Sequence, residues 1–469
     1  MPRTEEEEPN RFKEYLKTAP AWLFSAVTHM ILLIVLAVWW IYSPEDTTIT
    51  LSLSDYADEL GDQLADDLLD FKSESATDED VLTPQFLDTV SNPFQAPPQP
   101  SIAALGMASS TLEAIQIGPA LIGRSEGRKE ALLKAFGGSV KTEAAVQRGL
   151  EWLVRQQRPD GSWSLSGPYN DGISQSNPCA ATAMALLAFQ GNGHTHIKKG
   201  KYKKLVEKAM KWLVEQQAKD GSFPCPVSHH FFYTKGQCTI GLCELYGMTQ
   251  DSWLRGPAEK AVKYCVDSQH REGGWKYQSP PGSDTSVTGW ILMGLQSARM
   301  ARLDVPQKTL DNVSKYLDSA ASNDDMSRYG YFGGAEARPS MTAEALLCRQ
   351  YLGWKQDNEA LVAGVEYLLG GRNLPSTDDE NVYYWYYATQ VMHHIEGDYW
   401  KKWNGVMPGI LTKSQETVGR ERGSWDPRQD RWGGLGGRLY QTCLSVYILE
   451  VYYRHLPIYR SNKGLFNSP

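Results

Sequence analysis

Cysteine, positive charge and charge of any sign are each scarce somewhere in this chain of 469 residues. Each scarcity narrows what the protein can be. The seven cysteines, an odd number, form no CxxC pair and no Cys/His spacing of a structural zinc site. A disulfide scaffold and a zinc module are therefore not expected. Cys179, Cys238, Cys243, Cys348 and Cys443 fall in apolar helical runs and read as small core residues. From Thr18 to Pro44 there is no Lys, Arg, Asp or Glu. From Ser43 to Pro100 a single basic residue, Lys72, stands against 14 acidic ones, a net charge of −13. Residues 1–17 sum to −1, so the formal −8 of the whole chain leaves residues 101–469 at +6. The acidic average describes a tether attached to a mildly basic body. With 41% hydrophobic and 22% charged residues, the chain is neither disordered nor collagen-like, and it has room for one large core or two modest ones.

The uncharged stretch from Ala21 to Tyr42 reads AWLFSAVTHMILLIVLAVWWIY. As a helix it would reach about 33 Å, enough for a hydrocarbon core of about 30 Å. Trp22 at one end and Trp39, Trp40 and Tyr42 at the other suit the two interfaces. The run is too long, and ends in residues too bulky, for a cleaved signal peptide. Four basic residues (Arg3, Arg11, Lys13, Lys17) precede it and none follows for some twenty positions. The positive-inside rule then puts the N-terminus in the cytoplasm and the body outside it. Ser25 and His29 share a helical face inside this span, and a polar pair in a membrane is either functional or satisfied by backbone near the interface. Their spacing resembles that of the single anchors of TonB-type energy transducers, which implies an envelope partner with a proton-driven motor. After the helix, Tyr56, Leu60, Leu64 and Leu68 recur among acidic residues as an amphipathic helix, and SNPFQAPPQP (91–100) is an extended connector. Residues 72–125 are expected to be largely irregular.

From about Lys141 the chain repeats itself. QRPDGSW (157–163), QAKDGSF (217–223) and QHREGGW (269–275) share the pattern Gln-x-x-x-Gly-x-aromatic, carried by Gln157, Gly161 and Trp163, by Gln217, Gly221 and Phe223, and by Gln269, Gly273 and Trp275. Each string follows an amphipathic helix and precedes a more apolar one. Three further pairs, with less regular turns, continue the rhythm to about residue 457. Six hairpins with the apolar helix inside each time are what a closed ring needs, whereas an open solenoid calls for polar capping repeats.

The motif resembles the QW repeat of squalene and oxidosqualene cyclases and of protein prenyltransferase β subunits. That resemblance implies an α/α toroid with six inner helices around a central cavity. It also implies two chemistries to look for. A cyclase protonates an alkene or epoxide with a carboxylic acid held neutral in a dry cavity. No Asp-x-Asp-Asp precedes an inner helix here; Ser283-Asp284-Thr285-Ser286 is the nearest match, and Ser340-Met341-Thr342-Ala343-Glu344 keeps Thr-Ala-Glu with Ser where the acid belongs. Asp284 reads either as that acid or as an ordinary N-cap. A zinc prenyltransferase needs an Asp, a Cys and a His. Asp379 or Glu380 could match the first, but Val382 and Tyr383 occupy the Cys neighbourhood and Gln441 replaces the His. His393 and His394, adjacent on one helix, point about 100° apart and chelate poorly. No metal and no cofactor is expected.

The sequence thus predicts an all-α protein: a cytoplasmic tail (1–20), a transmembrane helix (21–42), an acidic linker (43–125), a single α/α toroid of six hairpins (126–458) and a short tail (459–469). Tyr383, Tyr384, Trp385, Tyr387, Trp290 and Tyr440 are the expected lining of an aromatic cavity for an isoprenoid-type ligand. Arg372, Arg420 and Arg438 are expected at an anion-binding mouth. The competing reading is a scaffold toroid in the cell envelope with a packed core and surface arginines; thioester capture is not expected, since no Gly-Cys-Gly-Glu-Gln string occurs. Partners expected are the membrane, the apolar ligand and an envelope protein, and not nucleic acid.

Overall fold

The computed structural model describes residues 29–30, 119–277 and 282–459. Two units are distinguished, Met1–Leu82 and Thr83–Pro469. Within the first only His29 and Met30 are described, both helical. The rest of the expected membrane segment, including Ser25, and the acidic linker up to residue 118 lie outside the described residues. Among the described residues no helix is long and apolar enough to cross a membrane.

The second unit is helical throughout, and its described residues hold no strand beyond two isolated bridges, Ala321 with Tyr329 and Gln415 with Trp425. After a 3₁₀ turn at Pro119–Arg124 come α1 (Glu126–Phe136), α2 (Val140–Gln156), α3 (Pro178–Gly191), α4 (Lys203–Glu215), α5 (Phe231–Thr249), α6 (Ser252–Asp267), α7 (Thr285–Met300) and α8 (Gln307–Ala320). They continue with α9 (Pro339–Tyr351), α10 (Glu359–Leu369), α11 (Val382–Ile395), α12 (Gly397–Asn404), α13 (Met407–Ser414), α14 (Gly433–Leu449) and α15 (Val451–Arg454). Two kinds of helix alternate. In α4 the buried residues are Val206, Ala209, Met210 and Leu213, one stripe at helical spacing. In α3 every residue after Pro178 is buried. A helix of the second kind must be surrounded on all sides. That is achieved by a ring in which α3 packs on α5, α5 on α7, α7 on α9, α9 on α11, α11 on α14, and α14 back on α3.

The outer layer follows a rule the hairpin rhythm does not reveal. Each outer helix lies mainly against the inner helix before it: α4 on α3, α6 on α5, α10 on α9, α12 on α11. The first outer helix, α2, has no predecessor and seats chiefly on α14, the last inner one, so the chain ends close the circle. The N-terminal turn reinforces this closure. Arg124 pairs with Glu244 of α5 at 2.8 Å and donates to the Arg454 carbonyl at 3.0 Å, all three groups being buried. The body therefore begins by Leu121, also buried, ahead of the boundary expected at 126. Tyr459, expected in the tail, donates to the Trp354 carbonyl at 2.7 Å.

The repeated motif is the joint between neighbouring units. Gln157 Nε2 donates to the Gly161 carbonyl in its own turn and to Leu205 O on the next outer helix, at 3.0 and 3.2 Å. Gln217 bridges Gly221 and Pro257 in the same way, and Gln269 bridges Gly273 and Thr309. The glycines have φ near +100° (101° at Gly161, 91° at Gly221, 102° at Gly273), and a Cβ on any of them would strike a carbonyl of the next outer helix. The indole of Trp163 donates back to Leu153 O, and that of Trp275 to Cys265 O. A fourth joint has the same wiring: Gln415 donates to Ala145 O and Gly423 O, and Trp425 Nε1 donates to Leu411 O. It lies at the ring closure, against α2.

Candidate functional site

The first turns of the inner helices and the loops before them enclose a cavity of about 480 Å³. Asn177, Ala180 and Met184 come from α3 and its cap, Tyr233, Thr234 and Gln237 from α5, Ser286 and Trp290 from α7, Tyr383 from α11, and Tyr440 from α14. His229, His230, Tyr277, Tyr331 and Trp432 come from the connecting loops. The volume suits a small ligand, and the lining is mostly aromatic and aliphatic with a few polar groups. Among the described residues, no Lys, Arg, Asp or Glu lines it. Behind the lining, packed rings close the interior: Trp290 stacks on Tyr386 with centroids 5.8 Å apart, and Tyr386 meets Tyr387 at 5.1 Å and Tyr447 at 5.7 Å.

Two buried carboxyls stand one atom layer outside this cup. Asp284 is the N-cap of α7. Its Oδ1 accepts from the backbone N–H of Ser286 at 2.9 Å and of Val287 at 3.4 Å, and from the Ser286 hydroxyl at 2.5 Å. Burial raises its pKa, and the Ser286 contacts oppose the rise. Ser286 Oγ in turn meets the Tyr233 hydroxyl at 2.6 Å and that of Tyr277 at 3.4 Å. The cap is made, and the same carboxyl meets the hydroxyl of Ser286, a residue of the cavity lining.

Glu344 is the second carboxyl, and it was noticed in the sequence only as the end of a partial motif. It lies fully buried on α9, and its Oε2 shares a 2.7 Å hydrogen bond with the Tyr383 hydroxyl while Oε1 has no hydrogen-bond partner. Gly289 of α7 makes room for it, since a Cβ there would come within 2.1 Å of Oε1. Burial pushes its pKa well above the ordinary carboxylate value; Tyr383 and Tyr387 oppose the rise, and Asp284 adds to it. The signal that could have found it is a charged residue in the middle of a helix too apolar to have an outer face.

Of the six aromatic residues expected around the ligand, Trp290, Tyr383 and Tyr440 line the cavity and three do not. Tyr384 faces away, donating to Leu368 O and Asn373 O and meeting Trp403 edge-on. Trp385 borders a separate cleft of about 400 Å³ with Glu380, Asp426, Arg428 and Gln441. Tyr387 sits behind Tyr383, centroids 5.1 Å apart. The run Tyr383 to Tyr387 covers more than a helical turn, so only part of it can point inward. The expected anion mouth also comes apart. Arg438 is buried, tied to Asp171 at 2.6 Å, to Asn170 O and to Ser424. Arg420 is exposed and donates to Pro168 O, and Arg372 is exposed on a 3₁₀ turn after α10. The positions compared with zinc ligands do converge, but on a carboxylate: Val382 N–H donates to Asp430 Oδ2 at 2.6 Å, and Gln441 bonds the same side chain. Among the described residues no cluster of His, Cys, Asp and Glu is placed to hold a metal ion.

No protein-family model matches the chain. A curated relative, the squalene–hopene cyclase of Bradyrhizobium diazoefficiens, is 25% identical over 292 residues, 54% of this chain and 43% of the relative. The chain thus spans less than half the length of that cyclase. Similar solved structures include an α-1,6-mannanase from Salegentibacter, 9% identical with a TM-score of 0.48, covering 67% of this chain and 99% of that one. A type II terpene cyclase from Scytonema, solved with its substrate geranylgeranyl dihydroxybenzoate, is 11% identical with a TM-score of 0.45, covering 68% of this chain and 98% of that one.

Proposed function

We propose that this cyclase-like toroid binds an apolar, isoprenoid-type molecule in the cup at the N-terminal ends of its inner helices. The observation that carries the proposal is the lining itself: an aromatic cavity of about 480 Å³ with no Lys, Arg, Asp or Glu on its surface among the described residues. Burying an uncharged chain there is favourable at about 25 cal/mol per Å² of apolar surface, while a charged group would have no counter-ion. The sequence similarity to a squalene–hopene cyclase, an enzyme named for an isoprenoid hydrocarbon, points the same way. Cyclisation asks for more than binding. A proton from Asp284 would have to pass through Ser286, and one from Glu344 through Tyr383, before reaching a ligand atom.

The cup is presented, on this reading, from a single membrane-spanning helix at 21–42 and outside the cytoplasm. The uncharged span and the four basic residues before it support that placement. A reporter fused after Pro469 should be active only outside the cytoplasm; cytoplasmic activity inverts the topology. The binding reading is tested by titrating squalene into the purified full-length chain and following tryptophan emission. Saturable quenching is expected, and Ala180→Trp, which fills the cup, should weaken binding at least about tenfold, or 1.4 kcal/mol. Equal affinity in the filled variant would show that the ligand sits elsewhere.

A further inference from the structure

The ligand class can be narrowed, on the premise that the cup binds an apolar molecule at all. One wall of the cavity is polar, and the direction of each hydrogen bond there can be worked out. Asp284 Oδ1 already takes a backbone N–H, so it acts as an acceptor, and the Ser286 hydroxyl donates to it. Ser286 Oγ, its proton committed, accepts from the Tyr233 hydroxyl at 2.6 Å. Tyr233 then offers only lone pairs to the cavity. One turn further along α5, on the same face, Gln237 lines the cavity with its Oε1 buried and unpartnered. A buried acceptor left in that state is unfavourable unless a ligand satisfies it.

Tyr383 extends the same polarity. In its 2.7 Å contact with the buried Glu344 the Tyr383 hydroxyl donates to Oε2. Its proton is committed there, at a distance much shorter than the 3.4 Å to the Ser286 carbonyl, so its oxygen also offers lone pairs to the cavity.

The geometry points to an uncharged apolar ligand bearing one hydroxyl, which donates to this wall of acceptors formed by Gln237, Tyr233 and Tyr383. A hydrocarbon leaves Gln237 unpaired. A ketone accepts but cannot donate. A diphosphate would meet two buried carboxyls, while among the described residues the basic side chains of the lining are His229 and His230, and burial lowers the pKa of His230.

The test titrates geranylgeraniol, its deoxygenated hydrocarbon and geranylgeranyl diphosphate into the full-length chain, read by the emission of Trp290 and Trp432. The alcohol should bind about tenfold tighter than the hydrocarbon, the diphosphate weakest of the three. Tyr383→Phe and Gln237→Leu should each remove about tenfold from the alcohol and leave the hydrocarbon unchanged. Equal affinity for alcohol and hydrocarbon, or tightest binding of the diphosphate, overturns this inference and leaves the apolar cup standing. Failure of all three to bind overturns both. The ligand series on the unaltered chain decides the matter even where a variant fails to fold.

Discussion

Buried carboxyls occur at both ends of the inner ring, and what faces them differs. Near the C-terminal ends, Glu244 lies between Arg124 and Arg454, and Glu450 bonds Arg454 at 3.0 Å. Burial alone would raise both; two guanidinium groups outweigh it at Glu244, which is held below its ordinary value, while Glu450, bonded to one, is still pushed up to about 8. At the N-terminal ends, Glu344 and Asp284 are buried with no guanidinium bonded to them among the described residues, and both rise. A charge paired inside a protein acts as a clasp: here it ties the N-terminal turn and the last helix to α5. Burial of a carboxyl without a pair shifts it toward its neutral form. The same residue type thus serves closure at one end and backs the cavity lining at the other.

Breaking the clasp should have the largest effect. Arg124→Met leaves Glu244 with one guanidinium in place of two and frees the N-terminal turn, and a loss of about 3 kcal/mol is expected in denaturant unfolding. If the midpoint barely moves, the closure depends on apolar packing of Leu121 and α1 instead. Glu344→Gln should do the reverse. The folded pKa of Glu344 is raised above the unfolded one, so its contribution is fully present below about pH 4.5 and is lost as pH rises from there toward the folded value, at about 1.4 kcal/mol per pH unit. The Gln variant lacks that slope, so its melting temperature should match the parent near pH 4.5 and exceed it increasingly toward pH 8. A parallel pH profile in the two proteins would mean that Glu344 is already ionised.

Smaller effects separate the joints from the surface. Gly221→Ala meets both a φ of +91° and the Lys260 carbonyl, which a Cβ would approach to 2.1 Å, and should cost about 2 kcal/mol. Arg431→Ala, which removes a half-exposed pairing with Asp379 at 3.0 Å, should leave the melting temperature unchanged within error. A large shift there would make the mouth loop part of the core.

Three of the four joints described were legible because the Gln, Gly and aromatic residues sit within seven positions. The joint of Gln415, Gly423 and Trp425 was not, since its Gln–Gly interval is eight residues in place of four, yet the hydrogen bonds are the same. A further repeated device also escaped the pattern. The N–H of Trp163, Tyr329 and Trp425 each donates to a Thr hydroxyl of the following inner helix, Thr182, Thr342 and Thr442. In a helix that is apolar all round, a lone Thr gives no periodic signal.

The sequence by itself determined that the body is all-helical, that two kinds of helix alternate, and which turns join them, because burial on one face or on all faces leaves its mark on local composition. Which member of an aromatic run faces the cavity, which arginine is exposed and which is locked, and which carboxyl is paired were decided only when the ring closed. Those properties depend on neighbours hundreds of positions away, as Arg124 and Arg454 show, and no local pattern encodes them.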